Sequence, residues 1–236
     1  MFESTVREDV LCVRREGTRW LSSGWNGGVR STDAAYNVSV PDGWERTDLD
    51  AYVAARRRRA GFDAPGPALL TGVDLGHARG ARRGPVEAVA TAGLSNPAAL
   101  PVPPDGSTTS GESEAGGSRV DAGTVNLIVG TTRSLDDGAL ANLLAVVAEA
   151  KAATLLAVTG FPGTTTDAAI VACDPSGDPA DFTGSATPVG AAARACVRDA
   201  LRASLRSRYP DGEFPASVDD AEYGVSTDRR AAVFQL

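Results

Sequence analysis

The stretch from Gly123 to Asp167 carries polar side chains that packing alone does not explain. Asn126 stands within an otherwise apolar predicted strand, and Lys151, the single lysine of the chain, stands near the end of a predicted helix. A glycine and three threonines then precede Asp167, so a hydroxyl-rich turn ends on a carboxylate. Because an amide or an amine is costly to bury without a partner, we predict that this stretch, together with Ala90 to Pro97 before it, forms a site for acid–base or hydrogen-bonding chemistry.

Two roles are open for Lys151, which continues the apolar stripe of its helix. The stripe consists of Leu140, Leu143, Leu144 and Val147. If the amine is desolvated on this stripe, it can serve as a base for a Ser or Thr hydroxyl. Alternatively, its carbon stem covers apolar surface while the ammonium group reaches water.

Two carboxylates are further candidates. Glu149 could activate water, or it could be a solvated charge on the helix surface. Two residues of helix separate Glu149 from Lys151 by roughly 200° around the axis, so the two cannot pair on the helix. Asp167 could orient a threonine, polarise a substrate amide or cap its own loop.

Several other chemistries lack the residues that they need. The loop from Gly160 to Thr164 has no lysine where a phosphate-binding loop requires one. The single histidine, His77, and the scattered carboxylates form no metal-ligand cluster in the sequence. A Ser-His-Asp triad would need His77, and the run Gly93 to Pro97 lacks the second glycine of a nucleophile elbow. Self-cleavage before Thr124, which would make it an N-terminal nucleophile, is a further possibility.

The acidic composition restricts the partners of the chain. Its formal charge of −7 argues against nucleic acid or an anionic membrane surface. Arginine supplies every basic side chain except Lys151, and together with the acidity this favours a salt-adapted source. The three cysteines lack the spacing of a disulfide framework or a zinc site. We find no signal peptide, and Glu149 and Lys151 interrupt the longest apolar run, so we predict a cytoplasmic protein without a membrane anchor.

Strands and helices alternate only in the second half of the chain. In the first half the patterns predict a hairpin of Val10 to Arg14 with Arg19 to Ser22, strands at Ala34 to Val40, Ala68 to Val73 and Val86 to Ala92, and a helix at Leu49 to Arg59. In the second half they predict a strand at Gly123 to Val129, a helix with a capping box of Ser134 and Asp137, strands at Thr154 to Thr159 and Ala168 to Cys173, a helix at Val189 to Arg208 and a last strand at Ala231 to Leu236.

This arrangement favours a single α+β domain over residues 1–236, with helices packed on a mixed β-sheet. A layered α/β sandwich is the alternative. The segment 101–122 is rich in Pro, Gly, Ser and acidic residues, and is predicted to be a flexible surface insertion. The patterns specify neither the strand order nor an oligomeric state.

Taken together, five groups of residues resemble the adenosylcobinamide amidohydrolase family, whose members salvage cobinamide in archaea and some bacteria. The groups are Ala90 to Pro97, Gly123 to Val129, Glu149 to Lys151, Gly163 to Asp167, and an earlier set of Gly27-Gly28, Asn37, Val40-Pro41 and Thr71 to Asp74. They occur in the order of the family over roughly Gly27 to Gly190. Two departures are a longer insertion and a loop before Asp167 that is less rich in glycine.

The resemblance implies hydrolysis of the amide that joins aminopropanol to the corrin ring, giving adenosylcobyric acid and 1-amino-2-propanol on the route to coenzyme B12. It implies no protein cofactor, since cobalt arrives with the corrinoid substrate. We assign proton transfer to Glu149 or Lys151, and binding of the amide or the oxyanion to Asn126 and Asn96. The other predicted substrate-binding residues are Gly27, Gly28, Asn37, Ser95, Thr124, Thr164, Thr165, Thr166 and Asp167.

Two other functions fit the same residues. The chain could be a corrinoid-binding protein without turnover, or an amidase that acts on another substrate. The resemblance and the composition together favour a halophilic archaeal source.

Overall fold

Two β-sheets stack face to face, with helices on both outer sides, in the computed structural model of the chain, which describes residues 1–41, 43–44, 48–102 and 123–236. The flexible insertion predicted for 101–122 lies, apart from Pro101 and Val102, outside the described residues. The α+β class with mixed sheets is confirmed. The single domain over residues 1–236 stays a prediction.

The elements of the described residues have the following bounds. The strands are β1 (Glu3–Arg7), β2 (Val10–Arg14), β3 (Arg19–Ser22), β4 (Gly28–Ser31), β5 (Ala34–Ser39), β6 (Ala68–Thr71), β7 (Arg79–Arg83), β8 (Val86–Ala92), β9 (Pro97–Ala99), β10 (Val125–Thr131), β11 (Gly163–Thr164), β12 (Ala168–Cys173) and β13 (Val225–Ser226). The helices are α1 (Leu49–Arg59), a 3-10 turn (Leu75–His77), α2 (Asp137–Thr159) and α3 (Pro188–Arg208).

The larger sheet has six strands in the order β4-β3-β12-β10-β8-β7. Strands β10 and β12 run parallel, and the other neighbours are antiparallel. Every residue of β10 is buried, as is typical of a central strand covered on both faces. Leu127 and Val129 of β10 face α2 and α3, where they share a core with Leu143, Val147 and Leu201. Each buried leucine of this core contributes about 1.5–3 kcal/mol of apolar burial.

The smaller sheet has the order β1-β2-β5-β6 and covers the other face of the six-stranded sheet. Ile128 and Ile170 point into the space between the sheets, where they meet Leu11, Trp20 and Leu69. Helix α1 packs on the outer face of the smaller sheet. The chain thus forms four layers, and side chains that alternate along β10 face either the helices or the second sheet.

A third, short sheet of order β11-β9-β13 lies where β10 and β12 begin. Gly163 pairs with Ala98, and Val225 of β13 pairs with the same residue from the other side. This sheet fixes the segment before β12 to the segment that follows β8. The polar residues predicted from the sequence therefore gather at one edge of the molecule.

The bounds of α1, β8 and β12 agree with the predicted bounds, but the predicted first hairpin is wrong. Strand β2 pairs with β1 and β5, whereas β3 pairs with β4 and β12. The segment between them crosses from one sheet to the other. The pattern of two short strands around the Glu16-Gly17 turn could not distinguish this crossover from a hairpin, because both place a turn between two apolar runs.

Three further predictions are corrected. The segment Thr154–Thr159 continues α2, which ends at Gly160 in the left-handed conformation. Asp136, not Ser134, caps the start of α2 by accepting a hydrogen bond from the Ala139 amide. Residues 231–236 form no strand.

By length and composition α2 could cross a membrane. The charges of Glu149 and Lys151 were predicted from the sequence to exclude a membrane-spanning helix. By this test of length and composition they do not exclude one. In the structure, Leu140, Leu143 and Leu155 of α2 are fully buried in the core against the sheet and α3. A core helix of this kind passes the same test of length and composition.

Candidate functional site

A partly buried ion pair joins α2 to the loop before β12. Lys151 follows Val147 by one helical turn on the side of α2 that faces the sheet, and its Nζ donates to Asp167 Oδ2. The two side chains are 18% and 10% exposed. Because a buried ion pair contributes little net stability on average, its presence points to a role in positioning or chemistry.

The Asp167 carboxylate also holds the loop that precedes it. Oδ1 accepts from the Val125 amide at 3.0 Å and from the Thr164 hydroxyl, and Oδ2 accepts from the Thr164 amide at 3.1 Å. With Lys151, these groups supply four hydrogen-bond donors to one carboxylate. Asp167 is therefore arranged to orient Lys151 and Thr164.

Gly163 permits this close arrangement. A Cβ atom at Gly163 would lie 2.4 Å from Asp167 Oδ2 and 2.8 Å from Lys151 Nζ. Both distances are shorter than any ordinary contact of a methyl group. Glycine is therefore needed at this position to leave room for the ion pair, and not to permit a left-handed backbone conformation.

Hydroxyl groups and an amide surround the loop of residues 163–167, which we call the threonine loop. Asn96 Nδ2 donates to Thr165 Oγ1 at 2.7 Å and lies 3.3 Å from Thr166 Oγ1. The hydroxyls of Thr166 and Thr124 are 3.0 Å apart, and Thr166 also donates to the Gly123 carbonyl at 3.1 Å. The structure therefore brings together Asn96, Thr124 and the threonine loop, as the sequence predicted.

Two buried acceptors at this cluster have no partner. Asn96 Oδ1 and Ser95 Oγ are buried without a hydrogen bond, and a Cβ at Gly123 would lie 2.3 Å and 2.5 Å from them. A buried polar atom without a partner costs about 1–3 kcal/mol. Unpaired polar atoms beside a polar cluster are the usual mark of a place where a water molecule or a ligand binds.

Asn126 belongs to a second network that lies between the two sheets. Its Nδ2 donates to Asn37 Oδ1 at 3.0 Å and to the Leu70 carbonyl at 2.8 Å, and Asn37 Nδ2 donates to Thr91 Oγ1 at 2.9 Å. A carbonyl can only accept, so Leu70 fixes which side of the Asn126 amide is nitrogen. Asn126 Oδ1 is left buried and unpaired.

This orientation changes the role that the sequence suggested for Asn126. Both of its N–H groups are used within the protein, so Asn126 can offer a hydrogen-bond acceptor but no donor for an oxyanion. Thr91 lies in the predicted stretch Ala90 to Pro97 without an assigned contact, whereas the Leu70 carbonyl was not predicted as a member of the site. Thr91 stands at the end of a buried strand, and only its register opposite Asn126 could have indicated its part.

The structure does not bring Glu149 to the ion pair. Its side chain is 63% exposed and lies 3.5 Å from Arg194 of α3. Arg194 lines a groove of about 630 Å³ between α2 and α3, whose other lining residues include Ala153, Ala157 and Arg198. Glu149 therefore lies on a different side of α2 from Lys151, in agreement with the predicted angular separation of the two.

Gly27 lies in the turn between β3 and β4, and Gly28 is the first residue of β4. A Cβ at Gly27 would lie 2.4 Å from the Ser22 carbonyl, and Gly28 has a φ of +93°. Ser23, at the start of this turn, bonds to both the amide and the carbonyl of Ala169. Because Ala169 follows Asp167 by two residues, the turn stands at the same edge as the threonine loop.

Other nucleophiles and ligands are placed elsewhere. His77 Nδ1 lies 3.1 Å from Ser207 Oγ of α3, so His77 does not complete a triad with Ser95. Burial raises the pKa of all three cysteine thiols, which disfavours the nucleophilic thiolate. Within the described parts of the chain, no group of three or more His, Cys, Asp or Glu side chains could hold a metal ion.

Comparisons with known proteins agree with the resemblance seen in the sequence. The family model described as CbiZ, adenosylcobinamide amidohydrolase, matches residues 1–213. An adenosylcobinamide amidohydrolase of Halobacterium salinarum is 58% identical over 238 residues, which cover 100% of each chain. A second one, of Methanosarcina mazei, is 27% identical over 213 residues, which cover 86% of this chain and 97% of the relative.

Proposed function

Because the chain belongs to the adenosylcobinamide amidohydrolase family, we propose that it hydrolyses the amide between the corrin ring and aminopropanol of adenosylcobinamide. The products are adenosylcobyric acid and 1-amino-2-propanol, which places the reaction in the salvage of cobinamide toward coenzyme B12. The observation that carries the choice of site is the partly buried pair of Lys151 and Asp167 beside the threonine loop. The full-length identity to the Halobacterium protein supports the choice of substrate.

Amide hydrolysis adds water to the carbonyl carbon, breaks the C–N bond and delivers a proton to the departing amine. Lys151 is the proposed proton donor, since its ammonium group has three N–H bonds and Asp167 uses one of them. After it has protonated the departing amine, the neutral Lys151 amine takes up the proton that the added water gives up, so the ammonium group is restored. The positive charge also stabilises the oxyanion that forms when water adds. Asp167 holds the ammonium group in place and takes no proton in this scheme.

Substrate binding falls to the neutral polar groups around the ion pair. Thr124, Thr165 and Thr166 offer hydroxyls, and the unpaired acceptors of Ser95 and Asn96 suit N–H groups of an amide substrate. Asn126 adds a further acceptor from between the sheets. In this proposal, most of the contact with the substrate comes from groups that carry no charge.

The acidic, lysine-poor composition and the Halobacterium relative support a halophilic archaeal source and a cytoplasmic location. We propose that the protein is free of a membrane anchor, with α2 serving as a core helix.

The test is to incubate purified protein in high salt with adenosylcobinamide and to follow corrinoids by mass spectrometry. Conversion to adenosylcobyric acid with release of 1-amino-2-propanol is expected. Intact cobinamide with a corrinoid spectrum that stays with the protein would instead identify a carrier. If the corrinoid neither binds nor changes, the amide substrate is a different one.

We also propose that the protein holds no catalytic metal, since cobalt comes with the substrate. Turnover of adenosylcobinamide is therefore expected to stay within about twofold after treatment with EDTA and removal of the chelator, because the proposed groups are side chains alone. The measurement is kcat before and after treatment, with the metal content of both samples determined by mass spectrometry. A loss of turnover that zinc or another divalent ion restores would contradict this part of the proposal.

A further inference from the structure

An exposed tryptophan stands on the β3–β4 turn, next to the edge that carries the threonine loop. Trp25 is 55% exposed, and its Nε1 donates to Asp50 Oδ1 of α1 at 3.2 Å. A single exposed aromatic ring is common on a protein surface, but its face is available to stack on a ligand. The bond to Asp50 holds the ring in one orientation.

The turn that carries Trp25 is itself braced. Asn26 has a φ of +48°, which is uncommon for a residue with a side chain. Arg30 donates to the Asn26 carbonyl at 3.2 Å and to its side-chain oxygen at 3.3 Å. At Gly24, a Cβ would lie 2.7 Å from a methyl carbon of Leu69, so the turn sits closely on β6. The bonds from Arg30 and the contact with Leu69 therefore hold in place the turn that carries Trp25.

A cavity of about 180 Å³ opens beside this ring. Its walls combine apolar groups with charged ones, and they include Trp25, Arg30, Asp50, Val53, Arg57 and Leu70. Pockets that enclose a drug-sized molecule measure about 300–1,000 Å³. The cavity is therefore too small for a corrin macrocycle, but it suits one flat ring system of a larger ligand.

We propose that this cavity binds a purine base, namely the adenine of the adenosyl group on the corrinoid substrate; the inference rests on the proposed function. One face of the base stacks on Trp25, which is how proteins hold bases without an extended hydrogen-bond pattern. The free carboxylate oxygen of Asp50 can accept from an exocyclic amine, and the guanidinium group of Arg30 can donate to a ring nitrogen. Val53 and Leu70 supply the apolar surface.

Two links connect the cavity at Trp25 with the threonine loop. Ser23 is bonded to Ala169, and two residues of extended chain, roughly 7 Å, separate Ala169 from Asp167. Leu70 links the two places from the other side, because its side chain lines the cavity while its carbonyl accepts from Asn126. In this proposal, the substrate places its base at Trp25 and its amide arm at the threonine loop.

The test compares adenosylcobinamide with a cobinamide that carries cyanide in place of the adenosyl group. For Trp25→Ala, KM for adenosylcobinamide is expected to rise about 5- to 150-fold, the equivalent of about 1–3 kcal/mol for one stacked base. KM for cyanocobinamide is expected to stay within twofold, and Trp25→Phe is expected to retain part of the preference. Phe182→Ala, which removes an exposed aromatic ring elsewhere, serves as the matched control and should change neither value.

A second measurement does not depend on turnover. Titration with 5′-deoxyadenosine is expected to quench the tryptophan fluorescence of the wild type, and Trp25→Phe is expected to abolish that quenching. Equal effects of Trp25→Ala on both corrinoids, or no effect on either, would overturn the assignment of the base. Failure of the wild type to cleave either corrinoid would instead count against the proposed function, and the fluorescence titration would then decide on the cavity by itself.

Discussion

Replacement of Lys151 by Met is expected to lower kcat on adenosylcobinamide by about 10²- to 10⁴-fold, the usual contribution of a positioned proton donor. Met keeps the length and much of the apolar stem while it removes the ammonium group, so the loss would report the charge and the proton rather than packing. The measurement is the rate of adenosylcobyric acid formation at saturating substrate. Lys151→Arg, which keeps the charge but not the compact donor, is expected to recover only part of the rate.

Stability has to be separated from chemistry in this experiment. Without Lys151, the Asp167 carboxylate stays buried with only its neutral donors, and a buried charge that loses its partner is destabilising. The double variant Lys151→Met with Asp167→Asn removes both charges, and is expected to melt closer to the wild type while staying inactive. Recovery of activity in the double variant would contradict the role of Lys151.

Glu149→Gln is the matched control, because it changes a charged residue of the same helix that the structure pairs with Arg194. It is expected to keep turnover within about threefold, since exposed ion pairs contribute little. If instead Glu149→Gln lost activity and Lys151→Met kept it, proton transfer would belong to the other side of α2. If both variants kept near-normal turnover, the assignment of proton transfer to this helix would be wrong.

Gly163→Ala is expected to lower turnover by about 10²-fold or more, because it changes the geometry of the ion pair between Lys151 and Asp167. The new methyl group would lie 2.4 Å from Asp167 Oδ2 and 2.8 Å from Lys151 Nζ, so the carboxylate and the ammonium group must move apart. Misplacement of a reacting group by about 1 Å can cost about 10²-fold in rate. Overpacking of a tight site also lowers the free energy of unfolding by about 1–3 kcal/mol, which thermal unfolding would measure as a lower Tm.

Gly80→Ala is the control for the glycine substitution. Gly80 lies on the edge strand β7, and a Cβ there would meet its nearest neighbour, the Ala88 carbonyl, at an ordinary 3.6 Å. It should leave kcat and Tm close to the wild-type values. Normal turnover in Gly163→Ala would show that the threonine loop can rearrange without loss, and that the ion pair does not need its present geometry.

The strands and helices with strong local signals could be predicted from the sequence. Leu49–Arg59 and Val86–Ala92 have the predicted bounds, because a charged C-terminal turn and a run of buried small and β-branched residues are local features. Thr154–Thr159 was wrong, since six residues rich in Leu, Val and Thr fit either a strand or one more turn and a half of helix. Packing favours the helix at this segment, because Leu155 is buried in the core that α2 shares with the sheet.

The site was predictable as a set of residue types but not as a set of contacts. Lys151 on an apolar stripe and Asp167 at the end of a hydroxyl-rich loop were each unusual within their own segment. Their ion pair depends on how β11 and β12 place the threonine loop against α2, which no local pattern states. The orientation of the Asn126 amide is set by the Leu70 carbonyl, a backbone atom of another sheet, and so it was beyond sequence reasoning.

The crossover between β2 and β3 has a consequence for how the protein folds. All strands of the smaller sheet lie within residues 3–71. Strand β3, in contrast, pairs with β12, which follows it by some 150 residues in the sequence. Closing such a long loop costs entropy before any contact compensates for it, which slows folding. On the ribosome, the first sheet can therefore form early, while Asp167 reaches Lys151 only after the chain has been synthesised past Cys173. The ion pair of the proposed active site therefore forms late in the folding of each newly synthesised chain.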